Sequence, residues 1–224
     1  LLSAPAGYGK TTLLAEFAAT APFPVAWYQL DEADSDPTVF LNYLVNCLRH
    51  LFIASHPARP ANFGEATQAL LDSADPNATP ARVLTVLINE WMETTQVSWL
   101  LVLEDYHLIT NPAVHTLVDT LLENAPPGLH LALSTRSDPP LALARLRARG
   151  MLAEIHAEEL RFREEEVAQW LARSFPSLSP ETSRILNEKT EGWPAALQIV
   201  LSSLSGQDPA SASQFIVNLS GTQR

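Results

Sequence analysis

Ser3-Ala4-Pro5-Ala6-Gly7-Tyr8-Gly9-Lys10-Thr11-Thr12-Leu13 is the stretch that decides how this chain folds. Leu1-Leu2-Ser3 reads as the end of a buried strand, and Thr11-Thr12-Leu13-Leu14-Ala15-Glu16-Phe17 as the start of a helix. A glycine-bearing turn between a strand and a helix presents backbone N–H groups at a helix N-terminus, where they form a cradle for an anion. Gly7 and Gly9 allow backbone angles that a residue with a Cβ resists. Lys10 is then placed to reach the β- and γ-phosphates of a nucleoside triphosphate, and the Thr11 hydroxyl to ligate Mg²⁺. The pattern G-x-x-x-x-G-K-[ST] is met except at Ala4, which stands where the first glycine is usual and is tolerable if its φ stays negative. The competing reading is a glycine-rich turn that holds no ligand.

Working outward, apolar runs of strand length alternate with helical patterns, the order of a parallel sheet covered by helices. The expected strands are Leu1-Ser3, Val25-Leu30, Trp99-Glu104, Leu129-Thr135 and Leu152-His156, most of them apolar on both faces. Asp36-Pro37, Thr79-Pro80, Asn111-Pro112 and Ser179-Pro180 each put a capping side chain before a proline suited to the first helical position, so helices are expected to start near 37, 80, 112 and 180. His56 to Asn77, rich in Pro, Ala and Asn, reads as an insertion with at most one short helix. Beyond the fifth strand, Arg163-Arg173, Pro180-Lys189 and Pro194-Leu204 are helical with no strand between them. The expected fold is therefore α/β, a P-loop NTPase whose mostly parallel sheet is sandwiched by helices, with a small all-helical lid. Domains are expected at 1-158 (nucleotide-binding), 159-205 (lid) and 206-224. The last segment, rich in Ser, Gln and Gly, reads as a linker or the start of a following domain.

Trp99-Leu100-Leu101-Val102-Leu103-Glu104-Asp105 is an apolar strand ending in two carboxylates, the form of a Walker B motif. At the end of a strand beside the phosphate loop such groups hold Mg²⁺ and polarise the attacking water, Glu104 by position the metal residue and Asp105 the base. The bland alternative is a strand ending in solvated acids. Leu129-Thr135 leads to Arg136 at the edge where ligands bind in open α/β sheets, a place from which to sense the γ-phosphate. A surface arginine is the alternative there. Asp31, Glu32, Asp34 and Asp36 read as a solvated acidic loop that caps a helix, the competing reading being that some of them position water or metal. His107 and His115 lack metal-ligand partners at convincing spacing and read as surface or packing residues.

Composition limits the function classes. The formal net charge of −11 argues against a nucleic-acid-binding face on this segment. Residues 1-135 carry 4 basic and 14 acidic side chains, whereas 136-163 carry 6 basic and 4 acidic. No apolar run approaches the roughly 20 residues that span a bilayer. The sole cysteine, Cys47, excludes a disulfide within the chain and reads as a buried thiol, which with no secretory signal suits the cytoplasm. The short first strand and the missing initial Met lead us to expect a longer parent chain.

Several segments in this order resemble one family. They are Ser3-Leu13, then Val25-Ala26-Trp27 leading to Leu30-Asp31-Glu32-Ala33-Asp34-Ser35-Asp36-Pro37, Leu103-Glu104-Asp105-Tyr106-His107-Leu108-Ile109, Ser134-Thr135-Arg136-Ser137-Asp138-Pro139-Pro140-Leu141, Leu146-Arg147-Ala148-Arg149-Gly150 and Glu191-Gly192-Trp193-Pro194-Ala195-Ala196-Leu197-Gln198. Together they resemble the nucleotide-binding region of MalT-type large LuxR-family transcriptional regulators, within the signal-transducing STAND ATPases. The resemblance implies an ATP/ADP- and Mg²⁺-binding switch with weak ATPase activity, in a parent protein that self-associates when ATP-bound and meets DNA only through domains outside this chain, with no membrane partner. It implies a phosphate cradle of Ala4, Pro5, Ala6, Gly7, Tyr8, Gly9, Lys10, Thr11 and Thr12, with Thr11 and Glu104 on the metal, Asp105 and Glu104 as the Walker B pair, and Arg136 as the sensor. Pro194 would lie against the adenine. Read from the residues alone, Gly192-Trp193-Pro194 is equally a C-capping glycine, a core tryptophan and a helix-starting proline. The family often has Asp where this chain has Glu104. The rival functions are a P-loop ATPase or kinase of another class, and a scaffold that holds nucleotide without hydrolysing it.

Overall fold

The computed structural model describes residues 1–55, 62–94, 98–176, 178–204 and 208–219. The chain divides into two compact units, one made of Leu1–Ser3 and Thr11–Glu154, the other of Ala4–Lys10 and Ile155–Arg224. In chain order the first half runs β1 (Leu2–Ser3), α1 (Lys10–Thr20), β2 (Val25–Gln29), α2 (Pro37–Ser55), α3 (Glu65–Leu71), α4 (Pro80–Thr94), β3 (Trp99–Glu104), α5 (Pro112–Glu123), β4 (Leu129–Thr135) and α6 (Leu143–Ala148). The second half adds β5 (Ile155–His156), α7 (Ala157–Leu160), α8 (Glu164–Ser174), α9 (Pro180–Thr190), α10 (Pro194–Leu204) and α11 (Pro209–Asn218).

The five strands form a parallel sheet flanked by helices, in the order β2-β3-β4-β1-β5. Parallel neighbours need a long crossover, and the helices between successive strands supply it. β3 lies at the centre of the β2-β3-β4 pairing and all six of its residues are buried. Its side chains alternate between two faces. Trp99, Leu101 and Leu103 join Ala26, Tyr28, Leu129 and Leu133 in the main core with Phe40, Leu41, Leu44, Leu84, Leu87 and Val118 from the covering helices, whereas Glu104 lies on the other face with Leu100 and Val102. Trp91 and Trp99 meet edge to face with ring centroids 4.6 Å apart, a favoured aromatic geometry.

Proline opens α2, α4, α5 and α9, as the capping pairs predict. Asp36 accepts from the N–H groups of Thr38 (2.8 Å) and Val39 (3.1 Å), and Asn111 from that of Ala113 (2.9 Å). These bonds satisfy amides that a first helical turn leaves without partners. The insertion does hold one short helix, α3, and its remaining stretch 56–61 lies outside the described residues. The helix cap there is tertiary: Gly64 offers no side chain, and the Glu90 carboxylate of α4 accepts from the N–H groups of Ala66 and Thr67, each at 3.0 Å, and from the Thr67 hydroxyl.

The strand expected over Leu152-His156 is shorter, Ile155–His156, although the N-terminal amine of Leu1 donates to the carbonyl of Ala153 at 2.8 Å. In the second unit, Val167, Leu171, Leu186, Leu197, Val200, Leu201 and Leu204 form a core of their own. Ala212 and Ile216 belong to it. Where composition suggests a linker or the start of a following domain, the chain forms α11, which buries Ala212 and Ile216, four apart on one stripe, and leaves Phe215 and Val217 exposed.

Candidate functional site

Residues Ala4–Lys10 form a tight loop ahead of α1. Gly7 and Gly9 have φ of +78° and +77°, in the left-handed region that penalises any residue with a Cβ. Ala4 is buried and does not have positive φ, so its methyl group is accommodated. The Lys10 ammonium donates to the carbonyls of Ala4 (2.6 Å) and Pro5 (3.1 Å), so the cation lies against the loop itself. Pro5, Ala6, Gly7 and Thr12 are exposed, and Tyr8 is half-buried.

The next residue, Thr11, reaches the end of β3. Its hydroxyl donates to Oε1 of Glu104, a residue only 4% exposed, and the other carboxylate oxygen accepts from the indole N–H of Trp27 at 2.9 Å. A hydroxyl and a carboxylate oxygen thus stand side by side as hard donors, the type Mg²⁺ takes. Among the described residues no group of three or more His, Cys, Asp or Glu is placed to hold a metal by itself. A magnesium carried in with phosphate oxygens fits such a pair, because that ion commonly uses one or two protein ligands and keeps water and phosphate for the rest.

Asp105 follows in a left-handed conformation, φ +58° and ψ +35°, which Asp tolerates better than most residues. Its partly exposed carboxylate lies 3.8 Å from Nδ1 of His107. Arg136 sits just past the β4 residue that pairs with Ser3, is exposed, and has no hydrogen bond or ion pair to another described residue.

The acidic loop after β2 serves structure. Asp31 accepts from the N–H of Ala33 at 2.7 Å, Asp36 caps α2, and Asp34, 3% exposed and so not solvated, accepts from the Tyr28 hydroxyl (2.6 Å) and the N–H of Asp31 (2.7 Å). Burial and the Asp34 carboxylate hold the Tyr28 hydroxyl protonated well above the usual range. His115 packs as expected, its Nδ1 2.9 Å from the buried Tyr106 hydroxyl.

In the second unit, Pro194 is the first residue of α10 and is half-buried. Gly192 has φ +67°, and a Cβ there would collide with the carbonyl oxygen of Phe162. Trp193 is not in the helical core. Its indole N–H donates to the carbonyl of Ala6 at 3.3 Å, and the N–H of Ala195 donates to that of Gly7 at 3.0 Å. The start of α10 thus rests on the Ala4–Lys10 loop.

No protein-family model matches the chain. The HTH-type transcriptional regulator MalT of Yersinia enterocolitica is 37% identical over 216 residues, which is 96% of this chain and 22% of that protein. MalT of Serratia proteamaculans is 36% identical over 223 residues, 99% of this chain and 23% of that protein. MalT of Vibrio cholerae is 33% identical over 201 residues, 89% of this chain and 21% of that protein. The chain is a homologue of one segment of MalT.

It spans about a fifth of the length of these MalT relatives. Two solved structures share its fold: a Walker-type ATPase of Pyrococcus abyssi, TM-score 0.57 at 15% identity over 96% of this chain and 65% of that one, and the RuvB Holliday junction branch migration motor of Thermotoga maritima, TM-score 0.50 at 14% identity over 96% and 59%. Among the described residues of the MalT-related chain, no helix is long and apolar enough to cross a membrane.

Sequence reasoning passed over the contacts of two tryptophans. Trp27 lies in an apolar strand and Trp193 beside a helix start, positions that read as packing. Only the partners of their indole N–H groups, which as donor-only groups need an acceptor, reveal the carboxylate and the loop.

Proposed function

We propose that this chain is the ATP-binding and slowly hydrolysing switch module of a signal-responsive transcriptional regulator. The observation that carries the reading is the bond from Thr11, directly after Lys10, to the buried carboxylate of Glu104. It brings the hydroxyl that follows the phosphate-loop lysine to the acidic strand end, as a nucleotide with its magnesium requires.

In this reading the N–H groups of Ala4 to Thr12 cradle the phosphates, and Lys10 turns from its own loop carbonyls to the β- and γ-phosphates. Thr11 and Glu104 hold the magnesium, which when bound neutralises phosphate charge. Asp105 takes a proton from the attacking water, Arg136 meets the γ-phosphate, and Pro194 covers the adenine. ATP can act as a switch only if it binds one arrangement of the protein better than another. The relation to MalT supports placing this switch in a regulator, with self-association in the ATP-bound form and DNA contacts outside this chain. A second reading, nucleotide held without turnover, is favoured by the fact that both Glu104 oxygens already accept hydrogen bonds.

Lys10→Ala tests the site. Calorimetry should show loss of ATP binding with the circular dichroism spectrum retained, and undiminished affinity would remove the proposal. Single-turnover hydrolysis by the parent chain separates the two readings.

A further inference from the structure

We propose that Trp27 is a positioning residue for the Glu104 carboxylate, and that it is what lets a glutamate serve at this strand end. The inference rests on the reading of Thr11 and Glu104 as the magnesium and nucleotide site.

The sheet register carries the argument. Gln29 pairs with Glu104 and Trp27 with Val102, so Trp27 is a diagonal neighbour of Glu104 on the same face. Two residues along a strand and one strand across put their Cα atoms about 8 Å apart. Only a long side chain with a donor at its tip spans that gap, and the indole N–H meets Oε2 at 2.9 Å. Thr11 takes Oε1, so the two donors hold opposite ends of one carboxylate. Glutamate has one more rotatable bond than aspartate and would otherwise leave its oxygens less well placed. The indole carries no acceptor and does not ligate a metal, so its part is to orient the anion. Aspartate, one methylene shorter, cannot reach both Thr11 and Trp27 from the same backbone.

The test is ATP binding by calorimetry with and without Mg²⁺, in the parent chain, Trp27→Phe, Glu104→Asp and the double variant. Phenylalanine keeps a ring in place and removes the N–H. Affinity without Mg²⁺ should be unchanged in Trp27→Phe, and the gain that Mg²⁺ adds should fall about tenfold or more, as for a lost hydrogen bond to a charged group. Glu104→Asp should lose a similar factor, and the double variant no more than the worse single one, since both remove the same contact. A full Mg²⁺ gain in Trp27→Phe, or losses that multiply, would overturn the inference and leave the nucleotide site standing. A parent chain that binds no ATP, or binds it without help from Mg²⁺, would instead overturn the functional reading beneath it. Should Trp27→Phe fail to fold, the indole N–H resonances decide: of the five tryptophans, one resonance should move on Glu104→Asp and again on adding Mg²⁺ with ATP, and no movement refutes the contact.

Discussion

Gly7→Ala compared with Gly9→Ala separates two costs at the loop between β1 and α1. Both glycines have φ near +78°, so an added methyl group carries the same dihedral penalty at each, about 1–2 kcal/mol. Their surroundings differ. A Cβ at Gly9 meets nothing within 4 Å, whereas one at Gly7 would lie 2.6 Å from the Ala195 Cβ and 2.8 Å from the Trp193 Nε1. Relieving such overlap costs about 1–3 kcal/mol more. Gly7→Ala should therefore destabilise by about 2–5 kcal/mol and Gly9→Ala by about 1–2 kcal/mol. At about 2–4 °C per kcal/mol for a chain of this length, the difference is several degrees in a nucleotide-free melt followed by circular dichroism. Ala195→Gly added to Gly7→Ala should recover part of the loss, measured against Ala195→Gly alone. Equal falls for the two glycines, or no recovery, would refute the contact between α10 and the loop.

Asp105→Asn should keep ATP affinity and slow hydrolysis, since asparagine tolerates the left-handed backbone equally well but loses the basic carboxylate; unchanged single-turnover rates would place the base elsewhere. Glu90→Gln should lower the melting temperature by a few degrees, because a charged acceptor for Ala66 and Thr67 becomes neutral and about 1–2 kcal/mol is lost; an unchanged melt would show that the cap on α3 contributes little. Burial pushes the Cys47 thiol up to about 11, only partly offset by its contact with the Trp27 carbonyl. Iodoacetamide should accordingly alkylate the folded chain with a midpoint well above that in denaturant. Between those two pKa values the unfolded chain has released a proton that the folded chain keeps, so stability falls as pH rises through that window. Coincident alkylation profiles would contradict this.

Much of the fold was legible from local signals. The expected spans Trp99-Glu104 and Leu129-Thr135 coincide with β3 and β4, and the four capped prolines open α2, α4, α5 and α9. Both signals are local, an apolar run without polar interruption and a side chain that satisfies its own helix. Helix α11 was not legible, because the Ser, Gln and Gly around its short apolar run Phe215-Ile216-Val217 resemble a linker until the core that buries Ala212 and Ile216 is present. Asp34 was likewise misread as solvated, since its donor, the Tyr28 hydroxyl, stands across a turn.

By itself the sequence determined the glycine turn between β1 and α1, the acidic end of β3 and the helix starts, because each depends on residues adjacent in the chain whose backbone preferences and capping bonds act within a turn or two. The tertiary structure alone decided that Trp27 donates to Glu104, that Glu90 caps a helix it does not belong to, and that Trp193 donates to the loop after β1. Each of these is a polar bond between residues 23 to 187 positions apart, and a donor's choice among distant acceptors is settled only once the strands are in register and the helices packed.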